Sequence, residues 1–169
     1  MDAMSYETCY RVLLAKENFK FSAAHFTLFP DGSAELLHGH NYQVSVELEG
    51  EELDELGLLC NLEQIKAAIR EACARLDSRT LLPTRCPYLQ VAEVDDGVEI
   101  IFGHRRYRLP AEDVVLLPLV NTSIELLARM LWQELAPLLV AGKVLVMTVT
   151  VAETAGQGSS YRAALRPAS

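Results

Sequence analysis

The chain has 169 residues, half of them hydrophobic, and a formal net charge of -8 at pH 7. This length suits one domain that buries roughly two-thirds of its unfolded surface, while the acidic balance, with no basic stripe, argues against nucleic-acid binding. No apolar run reaches the ~18 residues of a membrane span. Because the four cysteines are widely spaced and no secretory signal is present, we expect free thiols in a reducing cytoplasm.

Two strands are predicted near the N-terminus. Residues 10–21 alternate loosely and are interpreted as one strand, and the turn-rich run 29–33 follows. Residues 38–49 alternate more strictly, with Tyr42 and Leu48 on the same parity as His38. The face that carries the histidines is therefore expected to be the packing face.

Two helices and two further strands are predicted next. Asn61 is a plausible N-cap for an amphipathic helix that ends near Leu76. A second helix starts at Thr122-Ser123-Ile124-Glu125, which has a capping-box pattern. Residues 143–154 and 160–165 alternate as strands.

An additional module is predicted over residues 86–117. It contains a hairpin, Val98–Phe102 and Arg105–Leu109, joined at Gly103-His104. Without this module the order of elements is strand, strand, helix, helix, strand, strand. We therefore expect a single domain over residues 1–169, in which four antiparallel strands carry two helices on one face of a two-layer α+β fold.

Three of the four histidines predict a metal site. His38 and His40 alternate on one strand and therefore point to one face, and His25 ends the preceding strand. Three imidazoles without a fourth protein ligand are typical of a catalytic zinc site that keeps one open position. Glu35 lies just before the histidine pair, where a general base would be useful.

Several motifs together resemble one known family. They are Phe21-Ser22-Ala23-Ala24-His25, His38-Gly39-His40-Asn41-Tyr42, Leu76-Asp77, the helix start Thr122/Ser123/Glu125 and Val151-Ala152-Glu153-Thr154. In this combination and order the chain resembles the 6-pyruvoyl-tetrahydropterin synthase family, which includes the 6-carboxy-tetrahydropterin synthases. The resemblance covers nearly the whole chain.

The resemblance implies a fold, an assembly and a set of site residues. The family has the tunnelling fold, a ββααββ unit of which three copies close a twelve-stranded barrel, and two trimers usually stack into a hexamer with active sites at subunit interfaces. By resemblance, His25, His38 and His40 hold zinc. Glu153, helped by Thr122 or Ser123, binds the guanidine-like edge of a small-molecule pterin, which suits a carboxylate.

The sequence departs from the family pattern at the catalytic cysteine. Ser33 and Ala34 precede Glu35, and no cysteine lies in this stretch. One branch of the family carries Glu three residues before the first histidine of the HGH motif, and Glu35 matches it. Members of that branch convert 7,8-dihydroneopterin triphosphate to 6-hydroxymethyl-7,8-dihydropterin, a folate precursor. The resemblance therefore implies this activity, with Glu35 as a catalytic residue.

A second departure follows the first helix. The family usually has an Asp-His pair there, whereas this chain has Asp77 followed by Ser78. An acid at a helix C-terminus opposes the helix dipole, which indicates a role other than helix stability. By resemblance to the Asp of the family's pair, Asp77 is a second candidate catalytic residue. Two alternatives stay open beside the hydroxymethyl product: synthesis of 6-pyruvoyl- or 6-carboxy-tetrahydropterin, and a non-catalytic paralogue that binds zinc and a pterin.

Overall fold

The computed structural model describes residues 9–140 and 142–165. Within these residues the helices are α1 (Leu62–Leu76) and α2 (Ile124–Leu135). The strands are β1 (Tyr10–Leu14), β2 (Lys20–His25), β3 (His38–Gly50), β4 (Arg79–Pro83), β5 (Gln90–Val94), β6 (Gly97–Phe102), β7 (Arg105–Pro110), β8 (Val114–Leu117), β9 (Val146–Thr154) and β10 (Gln157–Ala164). No helix in this part of the chain is long and apolar enough to cross a membrane.

One large sheet runs in the order β10-β9-β3-β2-β4-β8, and β1 also pairs with β3. The predicted core is confirmed, since β2, β3, β9 and β10 pair antiparallel and both helices contact these strands. The prediction of only four antiparallel strands is wrong, because β4 adds parallel to β2 and β8 adds parallel to β4. The sheet is therefore mixed.

The first predicted strand is two strands. The chain turns after β1, where the Phe19 N–H donates to the Lys16 carbonyl at 3.0 Å. As a result β1 pairs with the second half of β3, and β2 pairs with its first half. This second pairing sets His25 directly opposite His38.

The core lies between the sheet and the two helices. The predicted alternation along β3 is confirmed, since Tyr42, Val44, Val46 and Leu48 are all buried. A buried side chain of this size contributes about 1.5–3 kcal/mol relative to an exposed one. Because His40 shares this parity, the packed face also anchors the strand end that carries the histidines.

The N-cap predicted from the sequence is confirmed for α1 and differs for α2. Asn61 caps α1 as predicted, since its side chain accepts from the backbone N–H groups of Glu63 and Gln64. For α2 the predicted capping box is wrong: Ser123 is the N-cap, and its Oγ accepts from the Leu126 N–H at 3.4 Å. Glu125 thus lies one position too early for the reciprocal bond of the capping box.

The 86–117 segment forms a second, three-stranded sheet and then rejoins the first. The predicted hairpin is confirmed as β6 and β7, with Gly103 at a φ of 58° that favours glycine. β5 adds to β6, while β8 pairs with β4. A second apolar cluster joins this sheet to the loop after β2; its buried members are Phe26, Leu28, Leu82, Cys86, Leu89, Val98 and Ile100.

Candidate metal centre and active site

Three histidines meet where β2 ends and β3 begins. His25 is the last residue of β2, and His38 and His40 are the first and third residues of β3. Their ligand nitrogens all lie within 4.8 Å of one another. Gly39 between them suits this pairing, because a Cβ there would meet the Ala23 carbonyl oxygen at 3.2 Å. The strand register therefore brings the three imidazoles close to one another.

Backbone carbonyls orient two of these rings. The Nδ1 atom of His25 lies 3.0 Å from the Thr122 carbonyl oxygen, and Nδ1 of His38 lies 2.8 Å from the Leu36 carbonyl oxygen. A carbonyl only accepts, so each Nδ1 carries the proton and each Nε2 keeps its lone pair. The buried Nε2 of His25 has no hydrogen-bond partner among the described residues. This is the orientation that metal-binding histidines take.

The remaining contacts also fit a cation. Nε2 of His38 and Nε2 of His40 are 2.9 Å apart, a distance that requires a proton or a cation because two bare lone pairs repel. Burial lowers the pKa of His25, and the neighbouring His38 and His40 lower it further against the hydrogen bond to Thr122. The neutral imidazole favoured in this way is the form that binds metals. The cluster could therefore hold a metal ion.

Glu35 lies in the same cavity as the histidines. This cavity of about 230 Å³ is lined by His25, Thr27, Phe29, Glu35, His38, His40, Ser123, Ile124, Glu125, Glu153 and Gln157. Oε2 of Glu35 accepts from the Thr27 N–H at 2.9 Å. Burial alone would raise the pKa of Glu35, but the bonds from Thr27 and the nearby His38 and His25 hold it below its usual value. A charged carboxylate therefore faces the cluster.

Glu153 completes the acidic side of the cavity. It lies near the end of β9, its side chain is 12% exposed, and its Oε2 is 3.7 Å from Nε2 of His40. The Gln157 side-chain amide donates to Oε1 of Glu153. Sequence reasoning missed Gln157, although a tight hairpin between β9 and β10 would have placed it beside Glu153. The capping-box pattern likewise assigns Glu125 to a helix cap, whereas Glu125 lines the cavity.

Thr122 and Ser123, the two predicted pterin-binding residues at the start of α2, differ in whether they face the cavity. Thr122 is fully buried and its Oγ1 donates to the Phe26 carbonyl at 3.4 Å, so its contact with the cluster is the backbone carbonyl that orients His25. Ser123 lines the cavity while it caps α2. Of these two predicted pterin-binding residues, only Ser123 faces the cavity.

Asp77 lies apart from the three histidines. It follows α1, where its Oδ1 accepts from the Ser22 N–H at 2.7 Å and its Oδ2 accepts from the Ser78 hydroxyl at 3.3 Å. It lines a different cavity, with Lys20, Asn41 and other residues of β2 and β3. These contacts join α1 to β2, and a catalytic role for Asp77 stays a prediction.

The fold and the cluster define an α+β protein with a candidate metal centre, and comparison with known proteins gives the family. The family model described as 6-pyruvoyl tetrahydropterin synthase matches residues 14–164. A Methanocaldococcus jannaschii protein named "Putative 6-carboxy-5,6,7,8-tetrahydropterin synthase" is 32% identical over 146 residues, which cover 85% of this chain and 89% of the relative. The chain belongs to the 6-pyruvoyl tetrahydropterin synthase family.

Solved structures agree with this assignment. The crystal structure of 6-pyruvoyl tetrahydropterin synthase from Plasmodium vivax has a TM-score of 0.84 and 31% identity, and the match covers 93% of this chain and 99% of that one. Another structure of the Plasmodium vivax enzyme, with a TM-score of 0.83 and 30% identity, carries a catalytic glutamate replaced by alanine. The expected tunnelling fold is thereby confirmed.

Proposed function

We propose that this protein is a zinc-dependent enzyme that converts 7,8-dihydroneopterin triphosphate to 6-hydroxymethyl-7,8-dihydropterin. The observation that carries the proposal is that the Glu35 carboxylate shares one cavity with His25, His38 and His40. None of the residues that line this cavity is a cysteine. A carboxylate beside the three histidines supports the proposal, because the reaction needs a proton-transferring group there.

Zinc would be held by the Nε2 atoms of the three histidines. When bound there, it supplies Lewis-acid polarisation of the substrate hydroxyls. The donor set fits, because three neutral imidazoles leave one position for substrate. The Thr122 carbonyl orients the ring of His25, and the Leu36 carbonyl orients the ring of His38. Metal-binding histidines usually have such a hydrogen-bond acceptor at the ring nitrogen that does not bind the metal.

The chain's own residues would then move one proton and hold the ring. Glu35 takes the proton from the C2′ hydroxyl, the C1′–C2′ bond breaks, and its electron pair stays on C1′, where the pterin ring delocalises it. Glu35 returns this proton to C1′, which gives the hydroxymethyl group, and C2′ leaves as an aldehyde on the two-carbon triphosphate fragment. No oxidant or reductant is needed. Glu153 holds the pterin through paired N–H groups.

The Plasmodium vivax variant supports the role of Glu35. Its description calls the replaced glutamate a catalytic residue. We assign the same role to Glu35, which lies three residues before the first histidine of the HGH motif and faces the cluster. The name of the Methanocaldococcus jannaschii relative favours a second candidate, synthesis of 6-carboxy-tetrahydropterin. The two candidates release different products from one substrate.

We also propose that the protein works as a homo-oligomer, as a trimer or hexamer. In the described part of the chain β10 and β8 stand at the two ends of the main strand order of the large sheet, and each pairs with one neighbouring strand. Such edges pair readily with further strands. Light scattering coupled to size exclusion measures the assembly, and a monomeric mass would reject this part of the proposal.

The test is product identification by mass spectrometry after incubation of zinc-loaded protein with 7,8-dihydroneopterin triphosphate. We expect 6-hydroxymethyl-7,8-dihydropterin, and a matched Glu35→Gln variant that releases none. A 6-carboxy or 6-pyruvoyl product would move the assignment to the second candidate. Unchanged substrate that nevertheless binds tightly would indicate a pterin-binding paralogue without this chemistry.

A further inference from the structure

The small sheet contacts the Glu35 loop through one arginine. Arg105 is the first residue of β7 and is half-buried. Its Nη1 donates to the Glu35 carbonyl oxygen at 2.6 Å, and its Nη2 lies 3.4 Å from the Ala34 carbonyl oxygen. A planar guanidinium suits such a pair of acceptors, because its N–H groups form a rigid fork. The 86–117 segment therefore reaches the loop that carries the candidate catalytic carboxylate.

The loop is held from its other side by Thr27. The Glu35 N–H donates to the Thr27 carbonyl at 3.0 Å, and the Thr27 N–H donates to the Glu35 carboxylate at 2.9 Å. The bridge between Leu28 and Ala34 closes the loop. Thr27 thus fixes the carboxylate, while Arg105 fixes the backbone to which the carboxylate is attached.

Arg105 is itself held in place. Its guanidinium carbon lies 5.8 Å from the centre of the Phe102 ring, a distance typical of a cation–π contact. Phe102 in turn packs on Phe26, with ring centres 6.4 Å apart. No carboxylate in the described part of the chain forms an ion pair with Arg105. The charge is therefore directed at the two carbonyls of the loop.

We propose that Arg105 is a positioning residue that fixes Glu35 relative to the histidine cluster. The kinetic consequence rests on the function proposed above, whereas the structural restraint does not. A displacement of about 1 Å at a reacting group can cost roughly 10²-fold in rate. Since Glu35 belongs to a loop, this restraint supplies the rigidity that a strand or helix would otherwise provide.

The experiment compares Arg105→Ala and Arg105→Lys with Arg106→Ala. Arg106 is the next residue of the same strand and is exposed. Its backbone pairs with β6, whereas its side chain forms no hydrogen bond or ion pair among the described residues, so its loss controls for charge and strand composition. Three quantities are measured on the full-length zinc-loaded protein: amide hydrogen exchange of residues 27–37, the kcat for 7,8-dihydroneopterin triphosphate, and the Kd for neopterin.

We expect Arg105→Ala to speed exchange at the Thr27 and Glu35 amides and to lower kcat by about 10²-fold. The neopterin Kd and zinc content should stay within twofold of the wild type. Arg105→Lys should recover part of kcat, because an ammonium can donate to one of the two carbonyls. Arg106→Ala should match the wild type in all of these quantities.

Unchanged loop exchange in Arg105→Ala would overturn the proposal. Equal losses of kcat, neopterin binding and zinc would also overturn it, since they would mark a general structural role. If the wild type does not turn over 7,8-dihydroneopterin triphosphate, the proposed function fails. Loop exchange still decides whether Arg105 restrains Glu35, so the two failures are distinguishable.

Discussion

The backbone carbonyl of Thr122 lies 3.0 Å from Nδ1 of His25, across 97 positions of sequence. The residue before the N-cap of α2 therefore sets the tautomer of a residue at the end of β2. The candidate metal centre is built from a strand pair and from the helix start packed above it. Displacement of α2 would release the ring of His25 as well as part of the core.

Replacement of His25 tests the metal centre. We expect His25→Ala to contain well under one equivalent of zinc, because one of three protein ligands is lost. His104→Ala is the matched control, since His104 is exposed at the turn between β6 and β7. Metal analysis by mass spectrometry measures both. Full zinc occupancy in His25→Ala would remove His25 from the ligand set.

Removal of the metal should lower stability. A ligand present at 100 times its Kd stabilises the folded state by about 2.7 kcal/mol, which for a chain of this size is roughly 5–10 °C in Tm. We therefore expect chelator-treated wild type to melt earlier and to recover on addition of zinc. His25→Ala should show no zinc-dependent shift. An equal shift in that variant would place zinc elsewhere.

Glu35→Gln separates chemistry from metal binding. The amide keeps the size of the side chain and an oxygen that accepts from the Thr27 N–H, but it cannot take a proton near neutral pH. We expect turnover to fall by at least about 10²-fold, with zinc content unchanged. Glu93→Gln, an exposed carboxylate on β5, is the control. Turnover near the wild-type rate in Glu35→Gln would end the proposed role.

Glu153→Gln tests recognition of the pterin. A hydrogen bond to a charged group contributes about 1.5–3 kcal/mol, so we expect the neopterin Kd to rise by roughly 10- to 100-fold. Glu134→Gln serves as control, because Glu134 is a surface residue paired with Arg75. Fluorescence titration gives both constants. An unchanged Kd would place the pterin ring away from Glu153.

The sequence predicted the histidine cluster from two local features. Alternate residues of a strand point to the same face, which places His38 beside His40, and His25 ends the preceding strand. The sequence also predicted the buried face of β3, the N-cap at Asn61 and the hairpin turn at Gly103-His104. These features depend on local spacing. The family motifs then gave the tunnelling fold without any structural information.

Other features depend on contacts distant in sequence. β4 and β8 pair parallel to their neighbours, and parallel pairing leaves no turn signal in the sequence. The bond from Arg105 to the Glu35 carbonyl joins residues 70 positions apart through a backbone atom, which has no side-chain pattern. For Thr122 the sequence likewise predicted a pterin-binding side chain, whereas its backbone carbonyl makes the contact with His25.

Asp77 is tested by a pair of substitutions. Asp77→Ala removes the acceptor of the exposed Ser22 N–H, which water can replace, so we expect the free energy of unfolding to fall by about 0.5–1.5 kcal/mol. Asp77→Asn keeps an acceptor oxygen and should retain most of that stability and a turnover within a few-fold of wild type. Denaturant unfolding and kinetics measure these quantities. A stable but inactive Asp77→Asn would instead establish the catalytic role predicted from the family.

Alkylation of the cysteines tests whether turnover is independent of a thiol. Burial, with the nearby Asp77 charge, raises the pKa of Cys73 to about 11, which favours the unreactive thiol at pH 8. Cys9 is exposed. We therefore expect brief treatment with iodoacetamide at pH 8 to modify Cys9 and spare Cys73, with turnover retained. Peptide mass spectrometry locates the modified sites. If inactivation instead parallels the alkylation of one cysteine, that cysteine is the catalytic residue and the role proposed for Glu35 is wrong.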